Sequence, residues 1–162
     1  MRSKFSYSSY LVAIGAFLLP LILVMSLLKN GLKSDTPIGL FVIICLFFLF
    51  IWIWMFFGEL RTKIIKIERE NENVIVRRYL GIGNSKHYNL LDISGFKTSV
   101  LSSKGGSYEY LYLMMDNKKV AKLSAFYHSN YKELKSHVVT MGIKNIGFEQ
   151  FSNVQELKDI FN

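Results

Sequence analysis

Between Ile38 and Phe57 the chain reads IGLFVIICLFFLFIWIWMFF, 20 residues without a charge or an amide. At the helical rise of about 1.5 Å per residue, such a run is about 30 Å long, the thickness of a bilayer's hydrocarbon core. A buried strand is far shorter, and a helix in water keeps a polar stripe. The run therefore predicts a helix that crosses a membrane, where the backbone must close its hydrogen bonds internally. A second uncharged run, Tyr10 to Leu28, is also long enough to span and has Pro20 at its middle, which predicts a kink. Its basic start resembles a secretory signal. The apolar stretch is too long for one, however, and no small-x-small cleavage site follows Leu28, so both helices are expected to be retained.

Only the segment KNGLKSDTP separates the runs, which forces an antiparallel hairpin. Arg2, Lys4, Arg61, Lys63, Lys66 and Arg69 flank one side of it, and Lys29 and Lys33 the other. This excess places both termini in the cytosol. Tyr7 and Tyr10 would then sit level with Trp52 and Trp54 in an aromatic belt. No ionisable residue lies at depth, so an ion or proton path has no carrier. The expected organisation is a hairpin over residues 1–58, with helices at about 10–28 and 38–57, followed by a cytosolic domain over 59–162.

That second part reads as short strands. Thr62 to Glu68 and Val74 to Leu80 form a hairpin about a polar turn, and the turn at Gly81 to Ser85 follows. Lys86 to Ile93, Phe96 to Leu101, Tyr108 to Met115 and Val120 to Ser124 continue an antiparallel meander. Two helices close the chain. Asn130 with Glu133 suggests a capping box ahead of an apolar face at Tyr131, Leu134, Val138 and Met141. Ser152 with Gln155 suggests another, ahead of Val154, Leu157 and Phe161. The fold class is a membrane α-helical hairpin joined to an α+β domain. Cys45 is the only cysteine and lies inside the apolar run, which excludes an intrachain disulfide and a cysteine metal site.

Three stretches carry a resemblance: the hairpin from Lys63 to Leu80, the strand ending Tyr88-Asn89-Leu90-Leu91-Asp92-Ile93, and the passage from Lys122 to Tyr131. In these, behind a two-helix hairpin, the chain resembles the bacterial membrane-associated PH-like domain proteins over roughly residues 60–141. The resemblance implies a bent antiparallel sheet or partial barrel plugged by one helix, in a multi-pass protein of the bacterial cytoplasmic membrane. It leaves open which of the two closing helices is the plug.

Candidate chemistry is sparse. Gly81-x-Gly83 lacks the third glycine and the G-K-[ST] of phosphate loops and is read as a hairpin turn. Ser102 to Gly106 could wrap a phosphate with its amides, with solvated loop as the plainer reading. His87, His128 and His137 have no metal-ligand spacing, and no nucleophile elbow is present. The chain is therefore read as a non-enzyme without catalytic residues, cofactor or metal. Past Gly58 it holds 16 basic and 11 acidic residues, a balance that suits anionic lipid better than nucleic acid. The candidate membrane-proximal cations are Arg61, Lys63, Lys66, Arg77 and Arg78; because strand neighbours alternate, only one of the last two can face the bilayer. Tyr108, Tyr110 and Tyr112 form an aromatic row that is either a binding face or half of the core. The expected partners are membrane lipid and a protein, not nucleic acid. Two roles fit: a scaffold or binding module at the cytosolic membrane face, or a small membrane immunity protein that neutralises an antibacterial toxin.

Overall fold

The computed structural model describes residues 1–30, 37–103 and 106–161. Gly31 and Lys33 of the interhelical turn, and Lys104 and Gly105 of the candidate phosphate loop, lie outside them. Helix α1 (Tyr7–Asn30) remains helical through Pro20, and α2 (Ile38–Ile53) continues as a π-helical segment, Trp54–Leu60. The stretches Tyr7–Lys29 and Ile38–Leu60 are each 23 residues long and apolar enough to cross a bilayer. The rest of the chain covers almost none of their apolar surface. They meet near the β-rich part, where the indole N–H of Trp52 donates to the Ala16 carbonyl (2.9 Å) and Phe17 packs edge-on against Phe56. An apolar cleft of about 550 Å³ between them is lined by Leu18, Ile22 and Leu23 of α1 and by Phe41, Ile44 and Phe48 of α2.

Among the described residues, seven strands form two sheets. The first is antiparallel, in the order β1 (Lys66–Glu70), β2 (Asn73–Arg77), β3 (Ser85–Asn89). The second has the order β6 (Lys118–Ser124), β5 (Gly106–Met115), β4 (Gly95–Ser103), β7 (Asn145–Phe148), with β7 parallel to β4. Turn chemistry sets the registers. Met115 faces Lys118 across Asp116-Asn117, and both turn residues have positive φ, the conformation that two-residue hairpins require and that Asp and Asn tolerate. Asn71 serves the β1–β2 turn in the same way, with φ 54°.

Ile67, Val74 and Val76 from the first sheet, with Ile65 just ahead of β1, pack against Phe96, Leu111, Leu113 and Leu123 from the second. Helix α3 (Tyr131–Thr140) fills the space between them with Tyr131, Leu134 and Val138. Each fully buried aliphatic side chain contributes about 1.5–3 kcal/mol of transfer free energy. Of the two closing helices, α3 is the one whose apolar face joins this core. Helix α4 (Asn153–Phe161) packs outside it, against the π-helical segment.

Several elements differ from the sequence reading. The π-helical segment carries the helix past Phe57 to Leu60, so the first strand starts at Lys66 rather than at Thr62. β7 lies in a stretch whose four residues are all exposed, so no alternation announces it. Asn130 makes no capping hydrogen bond to α3. Its side chain accepts from the Lys4 amide (2.8 Å) and donates to the Arg2 carbonyl (3.1 Å). That contact belongs to a larger attachment of residues 1–6, which the sequence assigns to the hairpin. Arg2 bridges to Glu68 on β1 and Phe5 to His128, while the amides of Ser3 and Ser6 donate to the carbonyls of Ile67 and Tyr127. The β-rich part is thus tied to the chain on both sides, ahead of α1 and behind α2.

Candidate functional site

Alternation along β5 sends Leu111 and Leu113 into the core, and Tyr110, Tyr112 and Met114 to the opposite face of the second sheet. That face is covered. Phe151 stacks on Tyr110 with centroids 6.0 Å apart, and Tyr110 lies nearly parallel to Tyr112 at 6.4 Å. Above them sits a buried charge network. Lys63 Nζ lies 2.7 Å from Glu59 Oε1 and 3.0 Å from Glu156 Oε2, and Glu156 also receives Lys122 Nζ. The Tyr127 hydroxyl donates to Glu59 Oε2 at 2.7 Å. Lys122 Nζ also stands 5.1 Å from the Tyr110 centroid, within cation–π reach.

The network joins elements distant in sequence. Glu59 is at the end of the π-helical segment, Lys63 in the turn after it, Lys122 on β6 and Glu156 on α4. The side chains of Lys63, Lys122 and Glu156 are 7%, 5% and 8% exposed. Burial acts to lower the Lys63 pKa, but the carboxylates of Glu59 and Glu156 outweigh it and hold the ammonium well above its ordinary range. Burial likewise acts to raise Glu156, and the two lysines outweigh it in the other direction, keeping the carboxylate ionised. Burial, then the neighbouring Glu59 carboxylate, pushes the Tyr127 hydroxyl up. Lys63 and Glu156 are both held charged around neutral pH. The arrangement fastens α4 and the end of the π-helical segment to the second sheet.

His128 is a second buried polar point. Its Nε2 lies 2.8 Å from the Ile65 carbonyl, to which it can only donate, and its Nδ1 lies 3.2 Å from the Ser124 amide nitrogen and 3.0 Å from the Ser124 carbonyl. Burial lowers its pKa, and the backbone contacts at Ile65 and Ser124 offset this only in part.

The sequence-selected residues separate into four groups. Lys63 does not face outward as a membrane-proximal cation; it is buried in the network because Glu59 and Glu156 compensate its charge. Lys66 and Arg77, cross-strand neighbours on β1 and β2, both bind Glu68 at 3.1 Å, which Arg2 also approaches at 3.2 Å. Arg61 and Arg78 line a cleft between the turn after the π-helical segment and β6. Arg77 and Arg78 thus diverge, as neighbours on an extended chain must. Of the tyrosine row, Tyr110 and Tyr112 lie under Phe151 and the charge network and form no open face, and Tyr108 packs edge-on against Phe126 at 4.8 Å.

Glu59, Lys122, Tyr127 and Glu156 escape sequence reasoning. The Glu59–Lys63 spacing of four on a helical end is a readable signal; Glu156 and Lys122 offer none, because their partners are set by tertiary packing. Among the described residues no group of three or more His, Cys, Asp or Glu is placed to hold a metal ion. Comparison with protein-family models, curated proteins and solved structures finds no match.

Proposed function

We propose that this chain is a membrane-anchored binding module. In this reading α1 and α2 cross the cytoplasmic membrane of a bacterium, both chain ends are cytosolic, and the β-rich part is a PH-like domain that engages a protein partner or anionic lipid without catalysis. The observation that carries the reading is the double attachment. Residues 1–6 pair with β1 and with the segment around His128, and Lys63 and Glu59 bind Glu156 and Tyr127. A domain attached through both flanks of a helical hairpin keeps a fixed orientation to the membrane, which suits presenting a surface. The uncovered apolar surface of α1 and α2 supports insertion in lipid. Two sheets closed by α3 support the PH-like assignment.

The test has two parts. A reporter active only in the cytosol, fused after Asn162, is expected to be active; activity only of a reporter requiring export refutes the topology. A photo-crosslinking residue at Leu91, 86% exposed at the end of the β-rich part away from the helices, is expected to capture a discrete protein adduct in intact membranes. Adducts only to lipid, at Leu91 and at other exposed positions of the sheets, would reject the protein-partner half of the reading.

A further inference from the structure

A cleft of about 130 Å³ opens where the chain leaves the π-helical segment. Its walls include Arg61, Thr62, Arg78, Lys119 and Lys122, and among the described residues no acidic one lines it. β6 is an edge strand of its sheet, so one side of its backbone has no partner strand, and residues 119–122 of that strand form the far wall. Lys119 binds Glu149 at 2.5 Å, and Lys122, 5% exposed, binds Glu156 within the buried charge network. Both ammonium groups lie over the Tyr110–Tyr112 rings with these acids, so it is the stems of the two lysines that the cleft meets. The arginine forks suit oxygen-rich anions, which they can bind through two parallel hydrogen bonds.

The place of the cleft narrows the choice of anion. Arg61 directly follows Leu60, the last residue of the second apolar span. Arg78 directly precedes a tight turn in which Tyr79, Leu80 and Gly81 have φ of 53°, 58° and 90°. This turn lays Leu80 and Tyr79 against Ala13, Leu60 and Phe56 of the helical pair and leaves Ile82 87% exposed. Ala13 and Phe17, which line an apolar pocket with Leu80 and Ile82, lie inside the first apolar span, which begins at Tyr7. If α1 and α2 cross a bilayer, Ile82 projects at the depth of acyl chains, and the cleft beside it opens at headgroup level. A holdfast of this kind needs an apolar contact below and a cationic one above, and here both come from consecutive residues.

We propose that the Arg61–Arg78 cleft binds a phosphate group, supplied by the headgroup of an anionic phospholipid, with the Tyr79–Gly83 turn seated in the acyl region beneath it. This deepens the binding-module reading and rests on its membrane assignment. The experiment uses the full chain in nanodiscs of neutral phosphatidylcholine doped with phosphatidylglycerol, and reads which lipids co-purify when the protein is released into mild detergent. Wild type is expected to retain phosphatidylglycerol preferentially. At about 1 kcal/mol per arginine near a headgroup, R78Q should reduce the retention about fivefold, and R61Q with R78Q about thirtyfold. K86Q, an exposed charge on β3, should leave it unchanged. R78K, which keeps the charge and loses the fork, should fall between wild type and R78Q, and it guards against a folding defect in the double variant. Free inorganic phosphate is the second arm. If it raises the thermal midpoint of wild type but not of R78Q, and no lipid is retained, the phosphate site stands and its source is soluble. Equal retention of neutral and anionic lipid, with no effect of phosphate, overturns the proposal. Failure of the chain to enter nanodiscs at all would instead sink the membrane reading beneath it.

Discussion

Replacing Glu156 with Gln tests whether the charge network is the fastening of α4. The carboxylate is 8% exposed and meets two ammonium groups, Lys63 at 3.0 Å and Lys122. Removing one partner of a buried ion pair costs about 3–5 kcal/mol, because a desolvated charge is left without compensation. Lys63 keeps Glu59, so the lower end, about 3 kcal/mol, is expected. The loss should be local. α4 turns Val154 and Leu157 outward, at 63% and 41% exposure, so neither of these apolar side chains holds it once Glu156 is gone. Opening of α4 is then about a hundredfold more frequent, since about 1.4 kcal/mol is a factor of ten. Hydrogen exchange of the full chain in mild detergent at neutral pH reads this directly. Amides of Asn153–Phe161 should lose about two decades of protection, while those of Tyr131–Thr140 on α3 stay as they are. Replacing the Lys122–Glu156 pair by apolar residues, K122M with E156L, should recover most of the protection, because Lys63 keeps Glu59 and a buried ion pair and apolar groups of similar size are close in free energy. Unchanged exchange in E156Q, or equal loss in α3 and α4, would refute the reasoning.

Stability should fall on mild acidification. His128 has a folded pKa below its ordinary 6.5, so between the two values only the unfolded chain takes up the proton. That stability is present above pH 6.5 and is lost as pH falls toward the folded value; H128Q should flatten the thermal midpoint over this window. Glu156, also depressed, adds a second loss only below its ordinary 4.5. Tyr127→Phe removes the hydroxyl that donates to Glu59 at 2.7 Å, and a hydrogen bond to a charged group is worth about 1.5–3 kcal/mol, so the thermal midpoint should drop measurably with the fold intact. Gly95→Ala places a Cβ 2.5 Å from Ile146 Cγ2 and 2.8 Å from the Lys144 carbonyl, at a φ of 156°. It should detach β7 from β4 at a cost of about 1–3 kcal/mol, seen as lost protection at Asn145–Phe148. Unaltered exchange there would show that β7 is not held by this contact.

What the amino-acid order determined by itself are the features whose physics is local. A helix long and apolar enough to cross a bilayer needs only length, apolarity and absence of charge, and the runs through Leu18 and Phe47 meet all three without reference to any other residue. The Asp116-Asn117 turn is legible because positive φ is a demand on those residues alone, and the inward face of α3 because Tyr131, Leu134 and Val138 recur at helical spacing. The rest had to wait for the tertiary structure. A lysine just past an apolar helix reads as lipid-facing, and Lys63 is buried only because Glu156, near the far end of the chain, returns to meet it. Asn130 reads as a cap, but its side chain spends its hydrogen bonds on residues 2 and 4. The tyrosine alternation of β5 showed two faces; only Phe151 and α4 decided that the second face is closed. Coulomb energy and desolvation depend on distances in space, and a sequence states distances along the chain.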